Sequence, residues 1–170
     1  MASQHDDGLS RRFWVEKPPS MVRERKSWTP SSIVLAMSGV TLMGTGLYFL
    51  FLRPPLLPED IRYMAVPAAQ FDALLRPKLE LWLTHVFRVM GGYVFATGVL
   101  MLTLAVTAFR DHQNGAAIGC LIGGAASIGW MAVVNFMIDS DFKWVLLAMA
   151  LLWAASLALF WTEKPKHVRL

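Results

Sequence analysis

The chain has 170 residues, is 55% hydrophobic and has a mean hydropathy of +0.45. It is therefore more apolar than a soluble domain, which runs nearer ~45–50%. Its net charge of +4 is concentrated towards the two ends and comes with no nucleic-acid-reading motif, which excludes nucleic acid as the working partner.

Residues 1–28 form a polar, basic, proline-interrupted arm carrying Arg11, Arg12, Lys17, Arg23, Arg25 and Lys26. No apolar core like that of a signal peptide occurs in it. The first apolar run, 33–52, holds 20 residues and stops at Arg53-Pro54-Pro55, where proline withholds a backbone donor and clashes with the preceding turn. Residues 53–85 are mixed. Pro58-Glu59-Asp60 is a helix start with acids at the positive end of the dipole. Apolar residues then recur at helical spacing, so the segment predicts one or two amphipathic helices on the outer membrane face, broken near Pro67 and Pro77.

The second run, 86–109, follows, then the third, 116–138, and the fourth, 144–161, with 24, 23 and 18 residues. A helix rising ~1.5 Å per residue needs roughly 20 apolar residues to cross a ~30 Å hydrocarbon core, so all four are candidate spans. The fold expected is an all-α integral membrane domain over 29–161, an antiparallel four-helix bundle, followed by a tail at 162–170. Ten Lys and Arg fall in the two tails and in the loop 110–115, against six on the other side. The positive-inside rule therefore puts both termini in the cytoplasm, and the expected location is a bacterial inner membrane. Trp28 and Trp161 fall at one edge and Trp82 and Trp144 at the other, where amphipathic rings anchor helices.

In lipid, small residues mark where helices approach. The ridge Gly115, Gly119, Gly123 and Ser127 makes the third span the expected packing centre, with Gly91 and Gly92 as the small face of the second. Intramolecular packing is the reading preferred over a homodimer face. The fourth span, rich in Leu, Ala and Trp, is expected to face lipid or a partner.

Charge inside a span is costly and points to function. Arg88 is the one such residue, with His85 a turn before it; both share a helix face with Leu81, Gly92 and Ala96 that is expected to point into the bundle. Asn135, Asp139 and Asp141 end the third span on the same side. These five form either a structural clasp between spans two and three or a small polar pocket that takes a lipid head group or a quinone. The clasp is the preferred reading. No catalytic constellation is present, the remaining histidines lack metal-site spacing, and Cys120 reads as a small buried hydrophobe.

The layout of a first span ending in prolines, an outer stretch opening Pro58-Glu59-Asp60, and then Arg88-Val89-Met90-Gly91-Gly92-Tyr93 with Ala96-Thr97-Gly98-Val99-Leu100, resembles the small four-helix membrane proteins grouped as DoxX-like. The resemblance covers roughly residues 33–161 and implies a site for a lipophilic small molecule without naming one. The function expected is that of an accessory or structural subunit of a membrane assembly, with lipids and other integral membrane subunits as partners. A lipid- or quinone-interacting protein is the alternative. No cofactor is required by the first reading; quinone or lipid would serve the second.

Overall fold

The computed structural model describes residues 27–65 and 75–163, and among these it is helical, with no strand. The expectations for the N-terminal arm, the C-terminal tail and a break near Pro67 fall wholly or mostly outside the described residues. Helix α1 spans Pro30–Leu52, α2 Pro58–Met64, α3 Leu75–Val106, α4 Asn114–Met137 and α5 Lys143–Thr162. Four of them, all but α2, are long and apolar enough to cross a bilayer. At most 28% of the residues in any span's apolar window are buried inside the protein. The remaining apolar surface is far larger than a water-soluble monomer leaves exposed, and lipid is the solvent that suits it.

Helix α1 lies between α3 and α5, and α5 carries α4 on its other side. Helices α3 and α4, although consecutive, share little contact. The buried positions of α1 include Ser32, Leu35, Gly39, Leu42 and Gly46, and those of α3 are Gly91, Val94, Gly98, Met101 and Ala105. Both sets step by three and four, the heptad pattern of a close helix pair, with a small residue at every seventh position. Seven residues nearly complete two turns, so the small positions stay on the contact line. A Cβ on Gly39 would lie 2.9 Å from the Gly98 carbonyl, and one on Gly91 2.9 Å from that of Gly46. These pairs make α1 and α3 run in opposite directions with their backbones in contact.

The third span is not the packing centre. Its buried positions are Ala116, Ala117, Cys120, Gly124, Ile128 and Ala132. That stripe lies one residue beyond the predicted ridge, and Gly115, Gly119 and Gly123 have open space where a Cβ would stand. A strict repeat of four drifts ~40° per step around an α-helix. The π-helical turn Ala125–Gly129 takes more residues per turn and brings Ile128 and Ala132 back to the buried side. Gly92 likewise faces open space, whereas Gly91 is at the α1 contact.

The amphipathic segment also resolves differently. Residues 75–85 are the start of the second span's own helix rather than a separate one. Pro77 does not break it: it lies in the first turn of the described helix, a place where proline is tolerated.

Candidate functional site

The sequence placed the polar residues of interest at the end of the bundle away from the termini, and the structure redistributes them. The glycine register puts Leu52 level with the α3 turn that carries His85 and Arg88. Arg53, just beyond α1, agrees: its guanidinium lies 3.4 Å from the centroid of Phe87. Arg88 therefore stands at the end of the span rather than deep within it. Both His85 and Arg88 are exposed and turned away from α1, and neither has an ion pair or hydrogen bond among the described residues.

The acids that were to meet Arg88 are held elsewhere. Arg62 of α2 donates to Asp141 at 3.1 Å and to the Asp139 carbonyl at 2.9 Å. Lys143 pairs with Asp139 and holds its carboxyl below the usual carboxylate range, while the hydrogen bond to Asp141 raises the Arg62 pKa. Asn135 donates to Met131 O in its own helix at 2.9 Å, so it needs no partner across the bundle. The clasp at this end thus joins α2, not α3, to the loop before α5. Asp139 has a local reason as well. With φ at 52° it takes the left-handed position after α4, and Ser140 N–H returns to Asn135 O at 3.0 Å, as in a Schellman stop.

Arg53 is the most enclosed cation at this end, its side chain 9% exposed. It lies over the Phe87 ring with Phe49 beside it, bonds Asp60 at 3.4 Å and donates to Pro54 O at 3.1 Å. Burial lowers its pKa and Asp60 opposes that shift. Asp60 in turn accepts from Leu57 N–H at 2.9 Å, tying back the start of α2. Arg53 is thereby a hub between α1, α2 and α3.

The opposite end holds a polar cluster that the sequence did not reveal. Helix α1 begins with Thr29 as N-cap and Pro30 at the first position, where no donor is missed. The Ser32 amide donates to Thr29 Oγ1 at 3.3 Å, while the Ser31 amide and hydroxyl donate to Glu163 at 2.8 and 2.5 Å. Glu163, at the end of α5, therefore caps α1 from another helix and places a carboxylate at the positive end of its dipole. His112 Nε2 stands 3.5 Å from the same carboxylate, and its ring packs 4.9 Å from that of Phe160. Its φ of 54° closes a second Schellman-type turn, with Gln113 N–H on Ala108 O at 3.0 Å. One carboxylate joins the start of α1, the α3–α4 turn and the end of α5. Separation of these residues by 51 to 132 positions is what hid the cluster: Glu163 looked like a tail residue and His112 like a loop residue.

Chemically this end is saturated. Ser31 is fully buried and its donors are consumed, so the cluster works as a fastener. Glu163→Ala should cost about 1–3 kcal/mol by stranding a buried amide and hydroxyl, read as a lower unfolding midpoint in detergent. His112→Gly, which keeps the left-handed turn, should cost less than His112→Val, which opposes it.

Two of the open clefts among the described residues are lined mainly by apolar side chains. One, about 500 Å³, runs between α4 and α5 along Gly129, Ala132, Phe136, Leu147 and Ala150. The other, about 350 Å³, follows α1 past Trp28, Ile33 and Met37. Neither includes His85, Arg88, Asn135 or Asp139, and neither carries a charged group. Comparison with protein-family models, with curated proteins and with solved structures returns no match in any of the three. Roles for individual residues therefore rest on the geometry alone.

Proposed function

We propose that the protein is a small accessory or structural subunit of a membrane assembly, an antiparallel four-helix bundle with both termini on the cytoplasmic side of a bacterial inner membrane. The observation that carries this reading is the unfilled face of α4. Gly115, Gly119 and Gly123 follow one another at a spacing of four with open space over each. Small residues at that spacing let a second helix approach closely in lipid, and none of the helices among the described residues uses them. The buried serines support the same role: Ser31 is bonded to Glu163 across two helices, while the Ser32, Ser38 and Ser156 hydroxyls donate to carbonyls of their own helix or cap, so all four are occupied by the fold. Ser31 and Glu163 meet at one end, which is what an even number of crossings requires.

Gly119→Leu tests the reading, since it fills the face without touching the fold. Extracted into native nanodiscs, the wild-type chain should run with the same partner at fixed stoichiometry. The variant should lose that partner while keeping its unfolding midpoint. A lone monomer from native membranes, or a variant that keeps the partner, would sink the proposal; a homodimer would replace the assembly with self-association.

A further inference from the structure

Helix α3 carries a strip whose charged groups make no contact among the described residues. At ~100° per residue, Lys78, Trp82, His85, Arg88, Gly92 and Ala96 fall on the side away from the buried Gly91, Val94 and Gly98. Lys78, His85 and Arg88 are all exposed and make no ion pair or hydrogen bond among the described residues. The neighbouring acid, Glu80, lies towards the α1 side and is occupied by Arg76 at 2.9 Å. The strip is thus basic without a compensating carboxylate on it.

Its height matters as much as its charge. The turn from His85 to Arg88 is level with Leu52, the last residue of α1, so it stands where head groups meet acyl chains. Trp82 lies a turn above, 60% exposed, and Tyr93 below, 74% exposed, as amphipathic rings do at that boundary. Below the cations, Gly92 has open space over it and Ala96 is exposed, leaving a shallow trough down the helix with Tyr93 beside it. A guanidinium at this depth reaches upward to an anion rather than remain in hydrocarbon.

We propose that this strip binds an anionic phospholipid in the leaflet away from the termini. Arg88 offers its planar fork to the phosphodiester oxygens, His85 adds an N–H donor, which imidazole has in either protonation state, and one acyl chain lies along Gly92 and Ala96. A choline head group would bring its own cation against Lys78 and Arg88; a glycerol head group would not. The proposal stands whether or not the chain is a subunit of an assembly, because it concerns a different helix face.

The test uses the full chain in nanodiscs of phosphatidylcholine doped with phosphatidylglycerol, with retained lipids counted by native mass spectrometry. Wild type should enrich phosphatidylglycerol. Arg88→Gln should reduce that enrichment about fivefold, His85→Gln should reduce it less, Arg88→Lys should restore part of it, and Arg76→Gln should leave it unchanged. Equal retention of the two lipids, or enrichment that survives Arg88→Gln in a folded variant, overturns the proposal. So does a photocrosslinker at Val89 that, in native membranes, captures an acidic protein segment and no lipid.

Discussion

Gly46→Ala should lower the stability of the protein by about 1–3 kcal/mol, the range for overpacking a close-packed contact, while Gly44→Ala, two residues away on the other side of the helix, should change it little. The reason is geometric. A Cβ at Gly46 would lie 2.5 Å from the Phe95 amide nitrogen and 2.7 Å from its Cα, and a backbone cannot rotate aside as a side chain can. At Gly44 nothing stands within 4 Å. Gly98→Ala should behave like Gly46→Ala, since its Cβ would meet Gly39 O and Met43 N at 2.7 Å each. Because lipid provides no hydrophobic drive between helices, close van der Waals contact is what holds α1 to α3, and pushing them apart forfeits it along the whole pair. Unfolding midpoints in one detergent, for the two alanine variants side by side, decide the matter. Equal effects at 44 and 46 would remove the glycine contact from its place as the main joint.

The crossings were legible in the sequence because the length of an apolar run and the thickness of a bilayer are directly comparable. The direction each helix faces was not. In a soluble protein the buried side of a helix is apolar and the exposed side polar, but here Val40, Leu100, Ile122 and Leu151 are apolar and exposed. Glycine is the remaining guide: Gly91 lies on the α1 contact, Gly92 faces open space, and the buried stripe of α4 runs one residue beyond Gly115, Gly119 and Gly123. That offset is already set at Ala116, Ala117 and Cys120, ahead of the π turn at Ala125–Gly129, because small residues on adjacent faces of α4 leave its register open; the turn only keeps Ile128 and Ala132 on the same stripe. A heptad search would have found Gly39 and Gly46 facing Gly91 and Gly98, since the two pairs share the same seven-residue spacing.

The polar residues were misplaced for a related reason. Hydropathy begins the second span at Val86, which makes Arg88 look internal; the helix begins at Leu75, and α1 ends level with Arg88. Arg62, the actual partner of the acids after α4, is brought there by the short α2, whose position no local pattern encodes. Asp139 and His112 hold left-handed turns normally given to glycine, so neither helix stop carried its usual marker. The pairing of Glu163 with Ser31 joins the two ends of the described chain, a contact that only the closed fold creates.

Trp153→Ala should loosen α4 from the rest of the protein and expose Cys120 to alkylation. The α5 indole lies against Gly124, in the space a Cβ there would take, and its Nε1 donates to Cys120 O at 3.0 Å. Helix α4 has little contact with α3 and depends on α5, so this one side chain supplies much of its attachment. Truncating a fully buried Trp costs ~3–5 kcal/mol in a water-soluble core, and Trp153 is partly buried. The lower end, about 3 kcal/mol or less, is expected here, because the indole is partly exposed and an acyl chain rather than water enters the gap. Trp153→Phe keeps most of the ring and loses the hydrogen bond, for about 1 kcal/mol. Cys120 reports the change from within: its residue is 3% exposed, it is the chain's single cysteine, and it lies one helical turn from Gly124. A membrane-permeant maleimide should label it slowly in the wild type, faster in Trp153→Phe and fastest in Trp153→Ala. Gly124→Leu should match the last, because it expels the same indole from the other side. Unchanged labelling in both Gly124→Leu and Trp153→Ala would mean that α4 is held by something other than this contact, and the exposed glycine face of α4 would then no longer be the surface left over once the bundle is built.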